Sequence, residues 1–403
     1  MAPTMVDEAV DRTLIDLRAI SIAVRLEIEG PGRSAAGRSR LARDWSRCLT
    51  SPVGDGPATT LRLAPDPGVS PEIQDYLLTT QVTAAAIEHA AGSRLMLHAC
   101  GLSDDDGRVL ALVAPSGTGK STAAITLGRS MGYVTDEVVA IDGDGHVAPF
   151  PRPVAIEDAG TGTKRQSGPD RLGLLVCPDE LGIGRLVLLD RRPAHEGPPT
   201  LTQVPPAEAL LELIPQTSAL GALTTPLQRL GRLVDGCGGV FRLTYREIAD
   251  AEPALRELMS SPGRAQASWS VPDDLPVDAD AVEWALLDGR VRRAPVTDAV
   301  EIDGEILALA GGVPVRVSGI GRTVWDLAGS APTLDELVPR VVAIHGPHPE
   351  AAELVARAVV SMCRARILGL GRPRTVQELR TRPRPVTRRS SPSACCGAPD
   401  PRA

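Results

Sequence analysis

The residues best suited to chemistry form a glycine-rich run at 114–122, Ala-Pro-Ser-Gly-Thr-Gly-Lys-Ser-Thr. The apolar run 109–113 precedes it and helix-forming residues follow it, which is the strand–loop–helix context that a phosphate-binding loop requires. The glycines let backbone N–H groups point at phosphate oxygens, and the helix start adds its positive dipole end. Lys120 would reach the β- and γ-phosphates of a nucleotide, and Ser121 would bind Mg²⁺. The predicted nucleotide-binding residues are Ser116, Gly117, Thr118, Gly119, Lys120, Ser121 and Thr122.

The basic residues of the chain strengthen this interpretation. Of the 43 lysines and arginines, only Lys120 and Lys164 are lysines. A planar guanidinium cannot replace a compact ammonium inside a nest of backbone amides, so the loop keeps its lysine in a chain that otherwise uses arginine. A chance match in a glycine-rich chain is the alternative, and the flanking strand and helix argue against it.

Composition excludes several classes of protein. The chain has 403 residues, enough for two or three domains, and 43% of them are hydrophobic but only 2% aromatic. A net charge of −7 gives no support to nucleic-acid or membrane-surface binding. No apolar stretch approaches the roughly 18 to 20 residues of a membrane span, and the acidic N-terminus does not resemble a signal peptide. Seven dispersed cysteines without a CxxC pair argue against a disulfide framework or a zinc site. We therefore expect a soluble cytoplasmic protein.

Apolar periodicity predicts an α/β fold with a second, smaller unit near the C-terminus. Strands are expected at 24–29, 60–63, 95–100, 109–113, 132–141, 185–190, 239–243, 299–302 and 305–309. Helices are expected at 72–91, 123–127, 206–214, 224–233, 252–260, 318–328, 333–345 and 349–367. The predicted divisions are an N-terminal α+β region of unclear role (1–90), a phosphate-loop domain (91–260), a linker (261–284), a C-terminal domain (285–371) and a disordered Arg/Pro-rich tail (372–403).

Four motifs in this order resemble the HPr serine kinase family, and most closely the HPr-kinase-related proteins found beside peptide-modification enzymes. They are Leu97-His98-Ala99, the phosphate loop, Thr135-Asp136-Glu137 and Pro149-Phe150-Pro151-Arg152-Pro153. The resemblance covers about 90–260. It implies a P-loop fold of the HPr-kinase/PEP-carboxykinase type that uses ATP and Mg²⁺, and oligomers are possible because HPr kinases assemble as oligomers.

The same resemblance implies roles for individual residues. The family's acidic pair, which supplies the base and helps to hold Mg²⁺, falls on Asp136 and Glu137, although the family has aspartate where Glu137 stands. Ser121 and Asp136 are thus the expected metal ligands, and Asp136, Glu137 and His98 are the catalytic candidates. His98 matches a family histidine and is either an active-site or a buried structural residue. The family's downstream Glu-x-Arg-Gly segment is not recognisable, which weakens HPr itself as a substrate.

Asp190 is a rival for the metal-binding acid. It ends the apolar run 186–189 and would also serve as the Walker B aspartate of a plain ATPase. We favour Asp136 because it also fits the family pattern. Arg152 is either a phosphate or substrate contact or a surface ion-pair partner.

Residues 285–370 resemble the PqqD family, through a short hairpin followed by the segments 318–327 and 333–337. The resemblance implies a winged-helix domain that binds the leader of a ribosomally made precursor peptide. Together the two resemblances imply an ATP-dependent kinase for a hydroxyl of a peptide or small protein, working beside a peptide-modification enzyme. The alternative is a non-catalytic, nucleotide-binding chaperone that delivers a precursor peptide to that enzyme.

Overall fold

The computed structural model describes residues 6–7, 12–29, 35–50, 59–63, 66, 68–157, 164–261, 269–273 and 289–370. The predicted tail and most of the predicted linker lie outside these residues. Among the helices described, none combines the length and apolar character that crossing a membrane would require.

The N-terminal unit is a four-stranded sheet covered by a long helix. Its elements are β1 (Val6–Asp7), β2 (Arg12–Ala19), β3 (Ile22–Glu29), α1 (Ala35–Asp44), β4 (Thr59–Leu63) and α2 (Pro71–Ala90). Strands β2 and β3 pair antiparallel, and β4 adds parallel to β3. Ser70 caps α2 and Pro71 opens it, as expected at the first helical position. Apolar side chains of this sheet and α2 share one core with Met96, Val138 and Phe150, so the N-terminal unit packs against the central one.

The central unit is a mixed sheet with helices on both faces. Its elements are β5 (Leu95–Ser103), β6 (Arg108–Val113), α3 (Lys120–Leu127), β7 (Gly132–Thr135), β8 (Val138–Ile141), β9 (Val147–Ala148), β10 (Val154–Glu157), β11 (Lys164–Ser167), β12 (Leu175–Val176), β13 (Gly182–Arg191), β14 (Thr200–Val204), α4 (Pro206–Leu213), β15 (Thr217–Ser218), α5 (Pro226–Gly236), β16 (Val240–Tyr245) and α6 (Glu252–Ser260). The main strand order is β12-β7-β5-β6-β13-β16-β14, with β6, β13 and β16 parallel.

The alternating side chains of β6 explain why helices pack on both faces of the sheet. Val109, Ala111 and Val113 point to the face covered by α4 and α5, whereas Leu110 and Leu112 point to the face covered by α3 and α6. The run 132–141, expected as a strand interrupted by its two acids, is divided at those acids into β7 and β8. The two halves pair with different parts of the long strand β5.

The C-terminal unit is an antiparallel meander followed by three helices. Its elements are β17 (Trp269–Ser270), β18 (Val291–Arg293), β19 (Asp298–Ile302), β20 (Glu305–Ala310), β21 (Val313–Val317), α7 (Ile320–Ala328), α8 (Leu334–His345), α9 (Ala351–Arg364) and β22 (Leu368–Leu370). The expected hairpin at Asp303-Gly304 and the capping box of Thr333 and Glu336 are both present. Trp325 is fully buried in this core.

The β19–β20 hairpin is buried on both of its faces. Leu307 and Leu309 join the core formed with α4 and α5, whereas Ile306 and Ala308 join the core under α7, α8 and α9. Asp298, 2% exposed, accepts hydrogen bonds from the first backbone N–H groups of α5. The C-terminal sheet is therefore docked on the central unit through both apolar packing and a helix cap.

Candidate nucleotide-binding site

The glycine-rich run forms a loop between β6 and α3. Gly117 and Gly119 have φ values of +81° and +102°, which favour glycine, and α3 begins at Lys120. Lys120 is 6% exposed, and its ammonium donates to the carbonyl oxygens of Ala114 at 2.6 Å and Pro115 at 2.8 Å. Burial lowers the pKa of Lys120, with the nearby carboxylates opposing that shift. The loop thus places a buried ammonium at the amino end of a helix.

The acidic pair lies at the junction of β7 and β8, directly beside the loop. Asp136 is 1% exposed, and the Ser121 hydroxyl donates to its Oδ2 at 3.4 Å. The predicted metal ligands, which are 15 residues apart in sequence, are thus brought together. Glu137 is more accessible, because 36% of its side chain is exposed.

Arg152 connects the two acids to α2. Its guanidinium donates to Asp136 Oδ1 at 2.9 Å, to Glu137 Oε2 at 2.9 Å and to Thr83 Oγ1 at 3.1 Å. Burial would lower the pKa of Arg152, but the two carboxylates outweigh it and raise that pKa above its usual value. The Tyr133 hydroxyl lies 3.0 Å from the Arg152 carbonyl oxygen and 3.3 Å from Asp136 Oδ1. Of the two roles weighed for Arg152, a surface ion pair is excluded, because this residue is buried at the centre of the site.

His98 lies on β5 against the second acid. Its Nδ1 is 3.3 Å from Glu137 Oε1 and 3.2 Å from the Glu137 backbone oxygen. Burial is the main cause that lowers the pKa of His98, the charge of Lys120 lowers it further, and Glu137 opposes both. His98 is therefore neutral near pH 7, and a proton on Nδ1 would be donated to Glu137.

These groups line one cavity of about 510 Å³. Its predicted members are Ser116, Gly117, Gly119, Lys120, Ser121, Thr122, His98, Asp136 and Glu137. Thr118 lies apart from them, because its hydroxyl turns back onto the Pro115 carbonyl oxygen at 2.6 Å. The far wall was not predicted: it comes from α2 and from the β10–β11 hairpin, and includes Tyr76, Thr83 and Lys164. One sequence signal could have found that wall, since Lys164 is the second of the two lysines.

Asp190, the rival acid, lies near the carboxyl end of β13 and outside this cavity lining. Arg192 forms an ion pair with it at 2.8 Å, and the Thr244 hydroxyl donates to it at 3.2 Å. Burial would raise the pKa of Asp190, but these two partners outweigh it and lower that pKa. In this structure the Ser121 hydroxyl contacts Asp136 and not Asp190.

A larger cavity of about 690 Å³ lies between the β8–β9 turn and α5. It contains none of the predicted site residues. Asp142, at its edge, accepts hydrogen bonds from the backbone N–H groups of Asp144 and His146, so this acid shapes the turn. The predicted site residues that line either cavity all line the smaller one.

The structure is that of an α/β protein with a glycine-rich loop between β6 and α3, consistent with a nucleotide-binding fold. No family model matches the chain, and no curated protein matches it. Among solved structures, the HPr(Ser) kinase/phosphatase from Coxiella burnetii is similar over 41% of this chain and 92% of that chain, with 14% sequence identity and a TM-score of 0.23.

Proposed function

We propose that the protein is an ATP- and Mg²⁺-dependent kinase that phosphorylates a hydroxyl of a ribosomally made peptide or small protein. The observation that carries the proposal is the contact of Ser121 with Asp136 in a cavity that also holds Lys120 and Glu137. A phosphate cradle, a metal-binding pair and a second accessible carboxylate are the parts that phosphoryl transfer needs.

The residues present fit both ATP and Mg²⁺. A Cβ added to Gly117 would meet no atom within 4 Å, so the loop leaves open space where a phosphate can approach the backbone. Lys120 would hold the phosphates, and the oxygens of Ser121 and Asp136 are the hard ligands that Mg²⁺ prefers. When bound, the metal would neutralise charge on the transferred phosphoryl group.

Glu137 is the better candidate for the base. Asp136 is buried and engaged by Ser121, Tyr133 and Arg152. Glu137, in contrast, is accessible, and His98 and Arg152 fix its carboxylate. Glu137 would accept the proton of the acceptor hydroxyl as that oxygen takes the γ-phosphoryl group from ATP and ADP leaves. His98, with its Nδ1 3.3 Å from Glu137 Oε1, would orient this carboxylate.

We further propose a PqqD-like, leader-binding role for the C-terminal unit, which is a meander followed by three helices. In the described part of the chain, β21 ends the sheet, whereas β17 covers the opposite edge at β19. A leader peptide could add as a strand to β21, because an extended chain can pair with an exposed sheet edge.

Mass spectrometry of a precursor peptide encoded beside this gene, incubated with the full chain, ATP and Mg²⁺, tests the proposal. We expect a gain of one phosphate, about 80 Da, that is lost in Lys120→Ala and Glu137→Gln and kept in Asp190→Asn. An unchanged mass with every neighbouring peptide contradicts kinase activity.

The alternative, a nucleotide-binding peptide chaperone, is favoured by one observation. Arg152 pairs with both Asp136 and Glu137, and this pairing keeps a basic group against each carboxylate that catalysis would need. This function predicts tight leader binding and an unchanged peptide mass in the same experiment.

A further inference from the structure

The second lysine of the chain lies in the same cavity as the first. Among the described residues that line the cavity, three are lysines or arginines: Lys120, Arg152 and Lys164. Both lysines of the chain are among these three, although arginine stands at every other basic position. Arginine and lysine differ in shape, hydration and hydrogen-bond geometry, so two retained lysines in one cavity indicate that a compact ammonium is needed twice.

Lys164 lies on the wall of the cavity that α2, β10 and β11 form. Its Nζ is 5.7 Å from the centre of the Tyr76 ring on α2. The same helix carries Thr83, which contacts Arg152 and through it the acidic pair. Tyr76 and Thr83 are two helical turns apart, which corresponds to roughly 10 Å. Lys164 therefore lies against the part of α2 two turns before Thr83, whereas Lys120 lies in the phosphate loop.

The other two cations of the cavity already have partners. Arg152 is paired with two carboxylates, and Lys120 donates to two loop carbonyls. Lys164 contacts the face of Tyr76, an interaction that orients an ammonium without neutralising its charge. Glu157 stands opposite Lys164 in the β10–β11 register, and within the described part of the chain no ion pair joins them. The ammonium can thus receive an anion from outside the chain.

We propose that Lys164 is a specificity residue of the acceptor site and binds a carboxylate of the acceptor peptide. This inference rests on the proposed kinase function. A cavity of about 510 Å³ is about 10 Å across if it is roughly spherical, and an extended chain advances about 3.3 to 3.6 Å per residue, so a carboxylate about three residues from the phosphorylated hydroxyl would fit within it. An acidic side chain or the free C-terminus of the peptide could supply it.

Three short fluorescent peptides test the inference with the full chain. Each peptide contains a serine. The first has glutamate three residues after the serine and an amidated C-terminus, and the second has glutamine at that position and an amidated C-terminus. The third ends there with a free C-terminal carboxylate. Binding is measured by anisotropy with a non-hydrolysable ATP analogue and Mg²⁺. We expect the wild type to prefer glutamate over glutamine about tenfold, the ratio that roughly 1.4 kcal/mol gives. The Lys164→Ala variant should bind the glutamate and glutamine peptides equally. If the wild type binds the peptide with the free C-terminus most tightly, the C-terminal carboxylate is the group that Lys164 binds.

The neighbouring exposed residue Arg165 is the matched control, because Arg165→Ala removes a charge from the same strand outside the cavity. We expect this variant to keep the preference, and a purely structural role of Lys164 would lower both affinities without changing their ratio. Equal binding of all three peptides by the wild type, or a preference for a peptide with a carboxylate that is retained by Lys164→Ala, overturns the inference. Transfer from γ-labelled ATP is measured in parallel: preference without transfer contradicts the kinase function alone, and transfer without preference contradicts the role of Lys164 alone.

Discussion

Asp136 and Asp190 lie at similar places in the central sheet and in very different surroundings. Strands β7 and β6 both run antiparallel to β5, so β7 and β13 are each parallel to the loop strand, and each has its aspartate at the carboxyl end. Asp136 is buried among Ser121, Tyr133 and Arg152, whereas Asp190 is partly exposed and held by Arg192. Sequence position alone makes both plausible metal ligands, and the contacts distinguish them.

The largest expected effect on ATP affinity concerns Lys120, in the phosphate loop. Lys120→Ala should weaken ATP binding about 10- to 100-fold, because a charged hydrogen bond is worth roughly 1.5 to 3 kcal/mol. Lys120→Arg should lose nearly as much, since a guanidinium does not fit the amide nest. Titration with a fluorescent ATP analogue measures both variants. Near-normal affinity of Lys120→Ala would remove the basis for comparing the two acids.

Asp136→Asn and Asp190→Asn test the comparison directly. Removing the Asp136 charge leaves Arg152 buried with fewer partners and should cost about 3 kcal/mol of unfolding free energy. The exposed pair at Asp190 should cost less than about 1 kcal/mol. Urea unfolding gives these values, and nucleotide titration with and without Mg²⁺ gives the second readout. The dependence of affinity on Mg²⁺ should disappear in Asp136→Asn and persist in Asp190→Asn; the reverse pattern would make Asp190 the metal ligand.

A third aspartate, Asp298, tests whether burial alone explains the effects expected at Asp136. Asp298 is as buried as Asp136 but caps α5. Asp298→Ala should cost about 1 to 2 kcal/mol of unfolding free energy and leave nucleotide affinity unchanged. Urea unfolding and ATP titration of the same preparation check this. A loss of ATP affinity in Asp298→Ala would mean that the nucleotide site and the C-terminal unit are coupled.

The smallest expected effect is a pH dependence of stability that comes from His98, which contacts Glu137 next to Asp136. The pKa of His98 is lowered in the folded protein, mainly by burial, so the unfolded chain takes up a proton more readily. The stability contributed by neutral His98 is present above the unfolded pKa of about 6.5. It is lost as pH falls through the folded pKa. Urea midpoints at pH 7.5 and 5.5 should differ less for His98→Gln than for the wild type, and equal differences would contradict this account.

Local patterns predicted most of the elements and one side of the site. The loop, the acidic pair and His98 lie on or beside β5, β6, β7 and α3, whose apolar runs and glycines are encoded within short segments. The far wall escaped prediction because Tyr76 and Thr83 belong to α2, in a region of unclear role. Their approach to Lys164 depends on packing between distant segments. Strand β2 and helix α1 were also missed, and the division of the chain at 261–284 stays a prediction.

The burial of the β19–β20 hairpin on both faces also limits how this protein could have evolved. A C-terminal unit that presented a polar surface to α5 would leave Leu227, Leu230 and Val234 uncovered. If recombination replaced the C-terminal unit with a different domain, the protein would therefore fold stably only if the residues of α5 changed as well. We expect the residues of α5 and those of β19 and β20 to have been inherited together, as one fused gene rather than as two interchangeable modules.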